Sequence, residues 1–314
     1  MQSDSWQGLP YFPISQFYKQ RFGSKVYKIP VSTATTCPNR EGLNGMQTCN
    51  FCDVWGSAAY PEIREQSLKE QITKTRLRMI ELYKAQKFLV YFQAYTNTFS
   101  RVNELRRQFD VAKSFEDVVG IVVGTRPDCI SEVLFDLWNE TAEQMFMAVE
   151  LGVQSFDEEQ LLWMRRGHTA KRSLQAIERI SQKCPKVDLG IHLMFGLPGE
   201  TDQQIIDTAL KLNDLPVHNV KLHNLHVLKD TPLEQDYLQG SFKPIEQQEY
   251  MQRVELFLRH LSPRLAIHRL AALSTRSEEL VAPQWTALKM KTYQDMIDFM
   301  KSSNSFQGEA LVEG

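Results

Sequence analysis

Residues 118–124 read VVGIVVG and residues 145–152 read MFMAVELG. Both runs are short, apolar and partly β-branched, the pattern of strands buried on both faces of a parallel sheet. Working outward, four more runs share it: 25–32 (KVYKIPVS), 87–95 (KFLVYFQAY), 187–195 (VDLGIHLMF) and 220–228 (VKLHNLHVL). Helix-patterned stretches lie between them. Ser67–Ala85 sets Leu68, Ile72, Leu77, Ile80 and Leu82 among charged residues. Asp157–Arg166 opens on an acidic N-cap followed by Glu158 and Glu159, and Thr201–Leu212 starts with Thr201 and Asp202 after Gly199. Strand–helix alternation predicts an α/β fold with a parallel sheet, and right-handed crossovers roll such a sheet toward a barrel. About six units make a partial (β/α)6, TIM-like barrel, open on one side.

The pattern changes after Pro232. Residues 246–260 predict one amphipathic helix, 265–269 a last strand and 284–301 a second helix, so a small α-rich extension follows the barrel. The final dozen residues, with Ser302, Ser303, Asn304, Ser305 and Gly308, predict a loose tail. The first 24 residues hold Tyr11, Phe12, Phe17, Tyr18 and Phe22 and predict a lead-in packed on the barrel. The chain has 314 residues, 42% apolar and 24% charged, a globular composition. A net charge of −2 excludes an overall basic field. No run approaches the ~18 apolar residues of a membrane span, and residues 1–10 carry no basic-then-apolar leader. The expectation is a cytoplasmic protein with no membrane partner.

Three of the five cysteines, Cys37, Cys49 and Cys52, follow the first strand with spacing C-x11-C-x2-C. Where thiols are kept reduced, such crowding points to metal rather than to disulfides. A zinc tetrahedron needs a fourth ligand, and no nearby His or Cys supplies it, so a distant His would have to be recruited. Three thiolates suit a [4Fe–4S] cluster whose fourth iron is left to a non-protein ligand. Ordinary unliganded thiols are the remaining alternative. Cys129 and Cys184 are isolated and predict core or surface thiols.

A strand, three cysteines with an aromatic before the last (Cys49-Asn50-Phe51-Cys52) and about six β/α units together resemble the radical S-adenosylmethionine (SAM) superfamily. The usual spacing there is C-x3-C-x2-C. The wider first gap resembles the branch containing the Elongator catalytic subunit. GTRPD (124–128), VELGVQSFDEEQL (149–161), RRGHT (165–169) and FGLPGET (195–201) resemble that branch and oxygen-independent coproporphyrinogen oxidase, with the bacterial YhcC/YtqA group as the nearest fit. The resemblance runs from about residue 25 to 235. It divides the chain into a lead-in (1–24), a radical SAM barrel (25–235) and a C-terminal extension (236–314).

The resemblance implies a reduced cluster on Cys37, Cys49 and Cys52 that passes one electron to the sulfonium of SAM. The products are methionine and a 5′-deoxyadenosyl radical that abstracts hydrogen, with a reductant such as flavodoxin or ferredoxin as donor. It also implies cofactor contacts. Phe51 would lie near adenine, although a plain core aromatic is the equal alternative. Tyr95, Thr96 and Asn97 stand where the family has a glycine-rich turn, so contact with the methionine amino group would pass to Thr96 or Asn97. Relatives place a ribose-binding carboxylate where Gly124 stands; this chain has none there. Glu150, acidic inside an apolar run, needs a partner or a ligand hydroxyl, and Arg126 is one candidate partner. Gln154 would hydrogen-bond the cofactor, and Arg166 would grip the methionine carboxylate through its planar fork. His192 stands where a relative has a cofactor-contacting aspartate; a satisfied core histidine is the alternative. His223, Asn224 and His226 put polar groups inside the barrel, to contact adenine or substrate or to pair with one another.

Arg165, Arg166, Lys171, Arg172, Arg179, Lys183 and Lys186 form a basic region. Such a patch with nearby aromatics is one way to meet RNA. By analogy to the Elongator subunit, the expected activity is radical modification of tRNA near C5 of a wobble uridine. Two alternatives stand beside it: a radical SAM enzyme acting on a small metabolite such as a porphyrin precursor, and a non-catalytic iron–sulfur redox or cluster-delivery protein.

Overall fold

The structure, a computed structural model, describes residues 6–56, 61–274 and 276–312. Six parallel strands follow one another in chain order and in space: β1 Val26–Val31, β2 Lys87–Phe92, β3 Val118–Thr125, β4 Phe146–Gln154, β5 Asp188–Phe195 and β6 Asn219–Asn224. The predicted run 220–228 breaks after Asn224. There Leu225 donates its N–H to the Phe195 carbonyl, and the chain leaves the sheet as β7 (Val227–Leu228). The short β8 (Ala266–Ile267) then adds a seventh parallel strand beside β6, and β9 (Leu280–Ala282) pairs antiparallel with β7. The result is a curled half-barrel.

Helices cover its outside: α1 Ile14–Phe22, α2 Leu68–Tyr83, α3 Val102–Lys113, α4 Glu132–Gln144, α5 Glu158–Trp163, α6 Ala170–Lys183, α7 Asp202–Asp214, α8 Pro232–Leu238, α9 Gln247–His260 and α10 Lys289–Ser302. The predicted starts coincide with real caps. Ser67 and Glu70 form a capping box, Asp157 accepts from the Gln160 N–H, and Thr201 and Gln204 form a second box. The stretch predicted as one helix over 284–301 is instead a 3₁₀ turn, Gln284–Ala287, followed by α10.

Each strand's period of two sorts its residues. Outward-facing Ile29, Val31, Phe88, Val90, Phe92, Ile121, Val123, Met147, Val149 and Leu151 pack beneath the helices with Phe109, Trp138, Ile177 and Phe257. Burying a side chain of this size contributes about 1.5–3 kcal/mol, so this layer carries most of the folding free energy. The inner face alternates differently. Lys28, Tyr91, Gly124, Glu150, Gly152, His192 and Lys221 point into the barrel and leave it polar and roomy. The aromatic lead-in closes one mouth: Tyr18 and Phe22 on α1 stack edge-on against Phe146 at centroid distances of 6.1 and 5.5 Å.

The C-terminal stretch is not a loose tail. Gln307 is fully buried. Its Nε2 donates to the carbonyls of Ser262 and Leu265 (both 2.9 Å), and its Oε1 accepts from the Phe12 N–H (2.9 Å). One side chain thus ties both ends of the chain to the edge carrying β8, where Ile267 also donates to the Phe12 carbonyl. Gln307 reads as part of a loose tail because its partners lie 42, 45 and 295 positions away in sequence. Gln307→Ala would leave three buried backbone groups unpaired. It should destabilise the fold by about 2–4 kcal/mol, seen as a lower urea midpoint with an unchanged denaturant slope.

Candidate active site

The loop after β1 carries the three clustered cysteines to the rim of the barrel, at the C-terminal ends of the strands where α/β barrels build their sites. Its course is set by polar side chains. Asn39 donates to the carbonyls of Gln47 and Arg165 (both 2.6 Å), and Arg126 donates to the Asn39 side-chain oxygen. Asn50 donates to the Trp163 carbonyl (2.9 Å), and the Asn50 carbonyl accepts from Leu233 at the start of α8 (2.9 Å). Asp53, next to Cys52, pairs with Arg276, so the segment before β9 clamps the loop from the other side. Tyr95 braces the loop as well: its hydroxyl donates to the Val54 carbonyl (2.5 Å), and Arg40 and Arg64 flank its ring. Gly56 packs on that ring so closely that a Cβ would sit 2.6 Å from it.

Cys37, Cys49, Phe51, Cys52, Tyr95, Thr96, Glu150, Gln154, Arg166, His192 and His226 all line one cavity of about 360 Å³ inside the barrel. Of the residues singled out from the sequence, Asn97 does not. It is buried beneath the wall, and its amide donates to the carbonyls of Phe92, Ala94 and Gly124, so it shapes the β2 turn. Burial, with the Cys49 thiol beside it, pushes the Cys52 thiol up to about 12. Among the described residues no three His, Cys, Asp or Glu side chains converge on a point that would hold a single ion. The three cysteines line one wall of the cavity.

Arg166 is buried; it donates to the Gly152 carbonyl (2.9 Å) and to the Cys49 sulfur (3.5 Å), and its Nε has no partner. Gln154 is held in the left-handed region, with φ of 70°, and its side-chain oxygen is buried and unpartnered. Both side-chain atoms of Asn224 are likewise unsatisfied. A native interior rarely leaves such groups orphaned, and here three of the residues that do so share one cavity wall. These donors and acceptors fit a polar ligand beside the thiols.

Glu150 corrects one expectation. Arg126 is not its partner: Arg126 pairs with Asp128 through two 2.8 Å bonds. Glu150, almost wholly buried, instead accepts from Lys28 (2.5 Å), Lys221 (3.2 Å) and His192 (2.7 Å). Despite its burial, the flanking Lys221 and Lys28 hold its carboxyl well below the usual range. His192 thus has one nitrogen committed to Glu150, and His226 Nε2 donates to the Ala272 carbonyl (3.0 Å). Lys221, Arg269 and Tyr91, which the sequence analysis did not single out, also reach the cavity. A signal existed for Lys221: in VKLH it alternates with outward Val220 and Leu222, and so shares a face with His223.

A family model for the radical SAM superfamily matches residues 31–212, and a second, for the radical SAM C-terminal domain, matches residues 217–301. The chain belongs to the radical SAM superfamily. It is a radical SAM enzyme, of a family that works with a [4Fe–4S] cluster and S-adenosylmethionine. Over 299 residues it is 31% identical to the uncharacterized protein YtqA of Bacillus subtilis, covering 95% of this chain and 92% of the relative. A 134-residue stretch is 31% identical to the tRNA uridine(34) acetyltransferase of Methanocaldococcus infernus, covering 42% of this chain and 24% of that one. The fold superposes on the archaeal M. infernus Elp3 with a TM-score of 0.68 at 17% identity, over 90% of this chain and 64% of that chain. Among the described residues no helix is long and apolar enough to cross a membrane.

Three buried histidines are held neutral, His192 and His226 on the cavity wall and His168 behind it near Arg166. Burial lowers His192 to about 4, with Lys221 adding to it; burial lowers His226 to about 4; and burial, with Arg166 beside it, lowers His168 to about 3. In the unfolded chain each takes up a proton near pH 6.5. As pH falls from 6.5 toward 4 the unfolded state binds more protons than the native state, so stability is lost over that window. The expected loss is on the order of 1–3 kcal/mol per histidine. His226→Gln should flatten this slope when unfolding midpoints are measured across pH 4–7.

Proposed function

We propose that Cys37, Cys49 and Cys52 hold the [4Fe–4S] cluster, that SAM lies in the adjoining cavity, and that the substrate is a tRNA uridine. The observation that carries the first two parts is the shared wall: three thiols, the Arg166 guanidinium and the orphaned Gln154 and Asn224 groups face one 360 Å³ space. When bound, the cluster supplies the electron that cleaves the SAM sulfonium. The protein's residues do the rest. Arg166, already fixed by Gly152, presents its unpartnered Nε to the methionine carboxylate. Gln154 Oε1 and Thr96 accept from the amino group. Phe51 and the small inner-face residues Gly124 and Gly152 leave room for the nucleoside. The apolar layer beneath the helices and the aromatic plug of α1 keep water from the reacting atoms.

The tRNA part is supported by the uridine(34) acetyltransferase relative and by surface charge. Arg165, Lys171, Arg172 and Lys183 are exposed and have no carboxylate partner among the described residues. The rest of the basic region contributes less, because Arg179 pairs with Glu132 and Lys186 with Glu143.

Anaerobic reconstitution followed by dithionite should yield 5′-deoxyadenosine from SAM. Cys49→Ala should lose both the iron and the nucleoside while the fold survives; iron retained at the wild-type ratio would refute the ligand set. Arg166→Lys should weaken SAM binding by about ten- to a hundredfold, the value of a lost charged contact, with iron content unchanged. Digested tRNA from cells with and without the protein should differ in a modified uridine; identical nucleoside profiles across growth conditions would remove tRNA as substrate.

A further inference from the structure

Away from the cysteines, the inner end of the same cavity holds more positive than negative charge. Glu150 is the sole carboxylate on the wall among the described residues. Lys28 and Lys221 both bind it; Lys28, behind the wall, also acts on Asp188, whose carboxyl burial pushes up, so on the wall Lys221 shares Glu150 with a second cation. Arg269 follows β8 and adds another. Its Nη2 donates to His223 Nδ1 (2.7 Å) and its Nε lies 3.3 Å from the Leu222 carbonyl. Among the described residues it makes no ion pair with a carboxylate, and its hydrogen bonds come from Nε and Nη2. The remaining cations on the wall are accounted for otherwise: Arg126 by Asp128, Arg276 by Asp53 and Glu279, and Arg166 at the thiol end. The histidines do not alter the balance, since burial holds His192 and His223 neutral.

Strand register places this group. His192 and Lys221 are partners on one rung, below Met194 and His223 on the next but one, while the cysteine loop lies above the strand ends. Tyr91 links the two lysines: its hydroxyl accepts from Lys221 (3.1 Å), and the Lys28 and Lys221 ammonium groups sit 4.9 and 4.7 Å from its ring centre. Burial pulls Lys221 down to about 8 and lowers Arg269 as well. Both cations are therefore short of solvation and counter-charge, a deficit that an incoming anion would remove.

We infer that Arg269 and Lys221, with Tyr91 and His223, form an anion subsite that receives a carboxylate or phosphate group of the substrate at the inner end of the barrel. The inference rests on the reading that cluster and SAM occupy the thiol-lined end, which leaves this end to substrate. A planar guanidinium edge beside an ammonium suits an oxyanion with two or more oxygens. An apolar or cationic substrate group would leave both charges unpaired.

The test uses reconstituted, cluster-loaded protein with saturating SAM, unfolded thermally in acetate, inorganic phosphate or chloride at equal ionic strength. Acetate or phosphate should raise Tm saturably above chloride, as a ligand of the native state must. The larger response identifies carboxylate or phosphate as the recognised group. Arg269→Met should abolish the rise or weaken half-saturation by about tenfold or more, Lys221→Met should reduce it, and Arg269→Lys should keep part of it. Three results would overturn the subsite: no rise over chloride in the wild type, an undiminished rise in Arg269→Met, or a rise present without SAM and abolished by it, which would assign the site to the cofactor's own carboxylate. If Arg269→Met does not fold, the Arg269→Lys and Lys221→Met titrations decide. Iron content and SAM affinity, measured on the same samples, report separately on the cofactor reading: if those fail in the wild type, it falls on its own evidence.

Discussion

The barrel interior is organised around one buried carboxylate. Glu150 on β4 draws Lys28 from β1, His192 from β5 and Lys221 from β6 to within 3.2 Å of its two oxygens. β5 is the direct neighbour of β4, but β1 lies three strands away and β6 two, so the contact from β1 to β4 to β6 spans the inside of the half-barrel. An intact buried ion network adds little net stability, because desolvation offsets its attraction. Its effect is on geometry. Taking out one partner leaves an uncompensated charge at a cost of about 3–5 kcal/mol, so the strands that supply those partners are held at one spacing. The cavity above them inherits its shape from that spacing.

Around this hub the residues divide by depth. At the rim, Asn39, Arg126 and Asn50 tie the cysteine loop to the turn between α5 and α6 through backbone carbonyls. A loop held in this way keeps Cys37, Cys49 and Cys52 on one wall of the cavity. Midway, Arg166, Gln154 and Asn224 keep unsatisfied polar atoms in a space walled by packed apolar side chains. Deeper still, cations outnumber the single carboxylate on the wall. One channel therefore changes character along its length, from sulfur to mixed polar to positive.

Much of this was legible in the linear chain because it is written in local periodicity. Short apolar, partly β-branched runs located six strands, and Ser67, Asp157 and Thr201 marked helix starts by the chemistry of their side chains. The three cysteines stood out by spacing alone. The carbonyl partners of Asn97 were not legible, because position at a strand end does not reveal which carbonyls an amide will meet. Arg126 was offered to Glu150 because the two are opposite in charge, yet Asp128, two residues away, lay within reach of its Nε and Nη2. Gln307 looked like part of a polar tail because its three partners come from Phe12, Ser262 and Leu265.

What the sequence determined by itself is the alternating α/β order, the inward–outward sorting of each strand and the identity of a thiol cluster, since each depends on residues a few positions apart. Only the tertiary structure decided which charges meet. Lys28, Glu150, Lys221 and Arg269 are separated by 48 to 122 residues where they lie closest in the chain to one another, and no local pattern relates them.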